Sequence, residues 1–229
     1  MRHRRAYMLF MTDTADLTLD EIRVLLAPSI AENAAFDGWA SAARDMAADM
    51  NGVDRDVAAL AFQGGPVDMI DAWFASIDAA MTELLPPQQL AAMKIRQRIT
   101  ALVEARLTAT APHREALRRA LAILAMPQNV GTAARLGWRS VDAMWRAAGD
   151  TATDYNHYTK RAMLFAVYGA TVTVFLDDES EGHADTRAFL ARRIDGIMRF
   201  EKAKAGITRR AQHRPSLTRF VGRLRYPVV

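Results

Sequence analysis

The chain has 229 residues, of which 51% are hydrophobic, so it can bury one sizeable core and a single domain is the default expectation. It contains no cysteine, which excludes disulfide bonds and thiolate chemistry and leaves only histidines and carboxylates for a zinc site. We expect neither a metal nor another cofactor, because no metal-ligand spacing is found among the five histidines, His3, His113, His157, His183 and His213.

Charge is unevenly distributed along the sequence. Residues 31–93 hold ten acidic side chains and only two basic ones, Arg44 and Arg55. Residues 187–225 hold twelve lysines and arginines against Asp195 and Glu201. The two ends of the molecule are therefore expected to meet different partners.

The first part of the chain is predicted to form a module of three short helices. A flexible N-terminus, residues 1–16, precedes this module at residues 17–66, and the apolar part of that N-terminus is too short for a signal peptide. A capping box, Thr18–Glu21, begins the first helix, which is predicted to end at about Ala31. Asp37 is predicted to cap the second helix and Asp54 the third.

Longer helices follow, with Pro66 at a first helical position and a break at Pro86–Pro87. They are predicted at about residues 66–85, 88–108, 112–125, 151–176 and 184–204. A further helix, the seventh, is predicted to end at residue 149. The apolar stripe of the fourth helix is Ile70, Trp73, Phe74, Ile77, Met81 and Leu84. On the fifth helix Ile95, Ile99, Leu102 and Leu107 are predicted to face inward and Lys94, Arg96, Arg98 and Arg106 outward. One strand-like run, Thr171–Phe175, is expected to be helical because its neighbours override the local preference.

The eighth helix has the most unusual composition. It carries no charge from Ala162 to Leu176 and is apolar on every side, which predicts a buried central helix. The run is too short to span a bilayer, which needs about 20 apolar residues. Gly149, in front of it, suits a left-handed stop for the seventh helix.

The C-terminal segment, residues 207–229, is predicted to be a linker followed by a basic amphipathic helix that begins at Pro215–Ser216. Such a helix suits a membrane interface, although docking on its own domain is the alternative. The predicted membrane-binding residues are Leu217, Arg219, Phe220, Val221, Arg223, Leu224 and Arg225.

Residues 22–74 look like the N-terminal module of TetR-type regulators, in which the second and third helices form a helix-turn-helix. Recognition of DNA needs cations at that face. Arg55 is flanked by Asp54 and Asp56, so we do not expect nucleic-acid binding. A ligand-responsive DNA-binding regulator is nevertheless the alternative function.

Four motifs carry a more specific resemblance. They are FDGW at 36–39, LAMPQN at 124–129, DAMWRAAGD at 142–150 and DYNHYTKR at 154–161. Over roughly residues 20–204 the chain resembles the accessory lipid-binding protein of ubiquinone (coenzyme Q) biosynthesis, in its bacterial form. The resemblance implies an all-α, TetR-like bundle of about nine helices without DNA binding, a pocket for an isoprenoid lipid, and a C-terminal helix that holds the protein peripherally on the cytoplasmic side of the bacterial inner membrane.

The resemblance also implies a partner, the di-iron hydroxylase that acts on demethoxyubiquinone. The corresponding partner-binding residues are Asp142, Met144, Trp145, Asp154, Tyr155, Asn156, His157, Tyr158 and Arg161. Met144 is expected to be at least half-exposed as an adaptable contact. His157 stands where the family often has tryptophan, which removes an aromatic candidate for the contact.

The apolar stripes and the uncharged helix are able to enclose a cavity or, equally, to close into a solid core. If there is a cavity, the predicted lipid-binding residues are Trp73, Ile77, Met81, Ile99, Phe165, Tyr168 and Val172. A scaffold without a cavity is therefore a further alternative. By analogy with TetR-like folds, a homodimer through the last two core helices is possible.

No catalytic site is predicted. Asp150, Asp154, His157 and Tyr158 cluster in the sequence, as acid–base groups do in enzymes. Helix capping explains the two aspartates more simply. Neither a glycine-rich phosphate loop nor a nucleophile elbow is found in the sequence.

Overall fold

The computed structural model describes residues 16–151 and 155–212, and these residues are α-helical without any β-strand. The helices are α1 (Leu19–Asp37), α2 (Ser41–Met50), α3 (Arg55–Ala61), α4 (Pro66–Leu84), α5 (Pro87–Ala91), α6 (Ile95–Thr110), α7 (Arg114–Leu124), α8 (Val130–Ala147), α9 (Tyr155–Asp177) and α10 (Ala184–Gln212). Nine of these helices have seven residues or more, which confirms the predicted fold class. Within the described ranges, no helix is both long enough and apolar enough to cross a membrane.

Local signals in the N-terminal module largely act as predicted. The Thr18 hydroxyl accepts a hydrogen bond from the Glu21 amide at 3.3 Å, and the Glu21 carboxylate accepts one from the Thr18 amide at 2.9 Å. The Asp54 carboxylate caps α3 by accepting from the amides of Asp56 and Val57. The predicted boundary between the first two helices is wrong. Nothing between Ala31 and Asp37 breaks a helix, so α1 continues to Asp37 and ends at Gly38, which has a φ of +72°.

The core of the bundle is formed around Trp73 on α4. Its ring lies 5.3 Å from that of Trp39 and 5.5 Å from that of Phe74, between ring centroids. The Trp39 indole donates a hydrogen bond of 2.9 Å to the Ala116 carbonyl, which joins the N-terminal module to α7. The predicted stripe on α4 is buried up to Met81, but Leu84 is exposed because the helix ends there.

Two predictions for α6 are wrong. Ile95 is exposed at the first turn of the helix, and Arg106 is buried rather than facing outward. Arg106 lies on the same helical stripe as Ile99 and Leu102, and its charge is paired with that of Asp78 inside the protein.

Helix α8 is followed by Gly149, whose φ of +86° confirms the predicted left-handed stop. Helix α9 is continuous through Thr171–Phe175, as expected. It is not buried on every side, however, because Phe165 is 37% exposed and Tyr158 62% exposed. Small side chains on this exposed side account for its uncharged composition.

The last helix, α10, extends to Gln212, beyond the predicted end at 204. Residues 207–212 are therefore helical and not a linker. Residues 1–15 of the predicted N-terminal segment 1–16 and the predicted membrane-binding residues Leu217–Arg225 lie outside the described residues.

Candidate functional site

A buried network of ion pairs, which we call the junction network, fixes the corner between α8 and α9. Arg161 is 2% exposed, and its guanidinium donates to Asp142 Oδ1 at 2.7 Å and to Asp150 Oδ2 at 3.0 Å. Lys160 Nζ lies 2.9 Å from Asp150 Oδ1, and Arg146 Nη2 lies 2.6 Å from Asp142 Oδ2. Two residues predicted to bind a partner, Asp142 and Arg161, thus hold this corner together.

Asp150 is more than the simple helix cap that the sequence suggested. Burial acts to raise its pKa, but hydrogen bonds from Lys160 and Arg161, together with their charges, hold the pKa below its usual range. The carboxylate is therefore ionised at neutral pH and is committed to these two cations. Of the other predicted partner-binding residues here, Met144 is fully buried and does not have the exposure predicted for it.

An exposed aromatic cluster lies beside this network. The Tyr158 ring stacks on that of Trp138 with centroids 6.4 Å apart, and the His157 ring meets Tyr158 edge-on at 5.0 Å. Trp145 is partly buried, with its indole donating to the Lys160 carbonyl at 3.3 Å. Tyr155 and Asn156 belong to the first turn of α9, and Asp154 lies outside the described residues.

Two of the cavities between the helices are lined mainly by apolar side chains. The junction cavity, of about 310 Å³, is lined by Ile95, Arg96, Ile99, Trp145, Gly149, Asp150, Lys160, Met163, Leu164, Ile194 and Ile197. The bundle cavity, of about 500 Å³, is lined by Phe74, Arg106, Leu117, Leu121, Leu124, Ala125, Val130, Ala133, Ala134, Gly137, Ser140, Phe165, Tyr168, Gly169, Val172 and Thr173. Both volumes are within the usual range for small-molecule sites.

The predicted lipid-binding residues are divided among three places. Phe165, Tyr168 and Val172 line the bundle cavity, and Ile99 lines the junction cavity. The other three pack in the core and line neither cavity: Trp73, Ile77 and Met81. These three positions of the α4 stripe are thus closed core, although Phe74 of the same stripe lines the bundle cavity, and α9 provides one wall of that cavity.

Sequence reasoning missed the most distinctive group of the bundle cavity, the guanidinium of Arg106. It is 2% exposed, is paired with Asp78, and donates from Nε to the Tyr168 hydroxyl at 2.7 Å. Its carbon lies 5.8 Å from the Phe74 ring centroid and 5.6 Å from that of Tyr168. The signal was present, because Arg106 follows Ile99 and Leu102 at i+7 and i+4, on the apolar stripe of the helix.

The ion pairs around Arg106 form a second network, the bundle network, which reaches the surface. Arg139 pairs with Asp71, and its Nε lies 4.0 Å from Asp78 Oδ2. The contacts connect Asp71, Arg139, Asp78, Arg106 and the Tyr168 hydroxyl in that order. Asp71 also lies 3.6 Å from Nη2 of the exposed Arg135, farther from the cavity. In the described lining of the bundle cavity, Arg106 is the charged residue, and Asp78 neutralises it.

The fold defines the class of protein first. The structure is similar to the crystal structure of the TetR transcriptional regulator from Nitrosomonas europaea ATCC 19718, with a TM-score of 0.62 and 25% sequence identity over 76% of this chain and 97% of that chain. The molecule is therefore a TetR-like helical protein, as predicted from residues 22–74.

The sequence comparisons then define the family. Residues 130–201 match the COQ9 family model. The chain is 36% identical over 172 residues to ubiquinone biosynthesis protein COQ9, mitochondrial, of Homo sapiens, which covers 75% of this chain and 52% of that protein. It is 37% identical over 172 residues to the Rattus norvegicus protein of the same name, covering 75% of this chain and 53% of that protein. These matches confirm the family predicted from the sequence, COQ9, and this chain spans about half the length of the curated relatives it matches.

Proposed function

We propose that this protein is a non-catalytic accessory protein of ubiquinone biosynthesis, which binds an isoprenoid quinone precursor and presents it to the di-iron demethoxyubiquinone hydroxylase. The observation that carries this proposal is the bundle cavity, which has the size of a ligand site and a lining dominated by apolar side chains. The human and rat relatives are named as ubiquinone biosynthesis proteins, which supports the choice of ligand class.

An isoprenoid tail gains from such a cavity because each CH₂ group left in water costs about 0.8 kcal/mol. Transfer between a bilayer and an apolar cavity avoids most of that cost. Phe165 and Gly169 are partly exposed and also line the bundle cavity, so the cavity has an entrance on the α9 side. A lipid is able to enter there without opening the core around Trp73.

Substitutions of Gly169, at the entrance of the bundle cavity, test lipid binding. A Cβ added at Gly169 meets no atom within 4 Å, so Gly169→Phe has room to occupy the entrance, whereas Gly169→Ala adds one methyl group. We expect native mass spectrometry of purified wild type and Gly169→Ala to show a co-purifying isoprenoid, and Gly169→Phe to carry several-fold less. Circular dichroism checks that both variants fold. Empty cavities in every preparation of wild type, including after incubation with ubiquinone-containing vesicles, would contradict the proposal.

We propose the exposed aromatic cluster as the surface that meets the hydroxylase. Aromatic side chains dominate binding energy at protein interfaces, and Tyr158 is 62% exposed on the helix that also lines the bundle cavity. We expect Tyr158→Ala and His157→Ala to weaken association with the hydroxylase by about tenfold, which corresponds to about 1.4 kcal/mol. Lipid content should be unchanged. Leu60→Ala, at an exposed apolar side chain of the N-terminal module, is the matched control.

The basic C-terminal segment is the part that we propose to contact an anionic membrane, which would hold the protein peripherally on the bacterial inner membrane. Each arginine near such a surface contributes about 1 kcal/mol. Because α10 is helical to Gln212, the chain should be truncated after that residue rather than within the helix. Vesicle sedimentation should then show binding by the full chain only. Equal binding by the truncated chain would remove the segment from the proposal.

We also propose a homodimer through α9 and α10. Beside the cavity entrance, α9 exposes a row of small residues that do not line the cavity, Ala162, Ala166 and Ala170, which allow a second helix to approach closely. Sedimentation equilibrium should show a dimer that Ala166→Arg converts to a monomer. A wild-type monomer at all concentrations would contradict this part of the proposal.

A ligand-responsive DNA-binding regulator is the second candidate function, and the similarity to the TetR transcriptional regulator from Nitrosomonas europaea favours it. Against it, both arginines of the acidic segment are neutralised within the module, Arg44 by Asp45 at 2.7 Å and Arg55 by Asp49 at 2.6 Å. These cations are not free to neutralise phosphates. A gel shift with upstream DNA at physiological salt decides between the functions, and a specific shift would favour the regulator.

A further inference from the structure

We propose that the Tyr168 hydroxyl, held by Arg106, is the hydrogen-bond donor that recognises the head group in the bundle cavity, and that it selects an uncharged oxygen acceptor such as a quinone carbonyl. This inference rests on the proposed function, because it assumes that the lipid occupies the bundle cavity. It adds the position and the chemical class of the head group.

The hydrogen-bond geometry assigns the donor. Arg106 Nε donates to the Tyr168 hydroxyl oxygen at 2.7 Å, so the hydroxyl accepts this bond and keeps its own proton for another partner. Among the described residues, no protein group accepts that proton. A hydroxyl that accepts from a guanidinium is polarised and is therefore a stronger donor.

The other hydroxyl groups in the described lining of the cavity already donate hydrogen bonds to backbone carbonyls. Ser140 donates to the Leu136 carbonyl at 3.2 Å, and Thr173 donates to the Gly169 carbonyl at 3.2 Å, each within its own helix. Within the described part of the lining, Tyr168 is thus the one hydroxyl whose proton is uncommitted. An amphipathic ligand would place its oxygen at Tyr168 and its hydrocarbon along the apolar remainder of the lining.

The charge balance decides which acceptor fits. In the described lining, Arg106 is the charged residue and Asp78 neutralises it, whereas Arg135 and Arg139 share Asp71 nearer the surface. A buried carboxylate on the ligand would therefore have no net positive charge to compensate its desolvation. A carbonyl oxygen needs only the donated hydrogen bond, so a quinone is favoured over a fatty or isoprenoid acid.

The test compares three isoprenoid probes: ubiquinone with two isoprene units, the oxygen-free hydrocarbon farnesene, and farnesoic acid. In equilibrium dialysis, we expect Tyr168→Phe to weaken quinone binding by about five- to tenfold, which is the range for loss of one hydrogen bond. Farnesene binding should be unchanged, which shows that the cavity is intact. Thr171→Val is the matched control, because it removes a hydroxyl on the same helix that donates to the Val167 carbonyl outside the cavity lining, and its effect should stay below about twofold.

A measurement on the wild-type protein makes the test independent of the variant's folding. The carbonyl infrared band of bound quinone should move to lower wavenumber than in an apolar solvent, and an unshifted band would overturn the inference. An equal effect of Tyr168→Phe on quinone and farnesene, or tighter wild-type binding of farnesoic acid than of quinone, would also overturn it. If the wild type binds neither quinone nor farnesene, the proposed function itself fails.

Discussion

The junction network and the bundle network each bury one arginine to 2% exposure, but they differ in what surrounds the charge. Arg161 lies between two carboxylates, whereas Arg106 has one carboxylate and one phenol and forms part of a cavity wall. Each network also has an outer arginine, Arg146 or Arg139, that is partly exposed. The same buried residue type thus fixes a corner of the fold in one place and, in our proposal, positions a donor for a ligand in the other.

The largest expected effect is the loss of either inner arginine. Arg161→Met leaves Asp142 and Asp150 without their buried partner, and Arg106→Met does the same to Asp78, so each should lower the free energy of unfolding by about 3–5 kcal/mol. Urea denaturation measures this cost. If the two networks differ as described, Arg106→Met also abolishes discrimination between quinone and farnesene, and Arg161→Met keeps it. If both variants discriminate equally between quinone and farnesene, the two networks do not differ in function.

A smaller effect is expected from Asp150, and it depends on pH. The folded-state pKa of Asp150 lies below its ordinary value, so its stabilising contribution is present above about pH 4 and is lost as pH falls through the folded pKa. Asp150→Asn should therefore cost about 1–3 kcal/mol at pH 7, because two cations lose an ionised partner. The difference in unfolding free energy between wild type and Asp150→Asn should become smaller as the pH is lowered. If this difference stays constant with pH, the charge on Asp150 does not contribute to stability.

The fold was largely predictable because its signals are local. The capping box at Thr18, the cap at Asp54 and the stop at Gly149 each depend on residues within one or two turns, and all three were predicted. The extension of α1 was missed because Asp is a favoured N-cap residue, whereas in the structure Asp37 lies in the last turn of α1.

The candidate site was less predictable because it depends on contacts between distant helices. Phe165, Tyr168 and Val172 were predicted together as cavity residues, and in the structure they share a cavity wall. Periodicity cannot distinguish a cavity wall from closed core, so Trp73 and Met81 were grouped with them. Arg106 was assigned to the surface because charge is usually exposed, and only the approach of Asp78 and Tyr168 from α4 and α9 makes its burial favourable.

The smallest expected effect concerns the outer arginines. Arg139 is 38% exposed and Arg146 is 75% exposed, so solvent screens both ion pairs. Arg139→Met also removes a buried Nε that has no hydrogen-bond partner, which offsets part of the loss of its pairing with Asp71. We therefore expect both Arg139→Met and Arg146→Met to change the free energy of unfolding by less than about 1 kcal/mol, measured by urea denaturation. Quinone binding should stay within about twofold of wild type in both. A cost at Arg139 as large as that at Arg106 would mean that the bundle network acts as one unit, and the head-group donor would then depend on the surface pair as well as on Arg106.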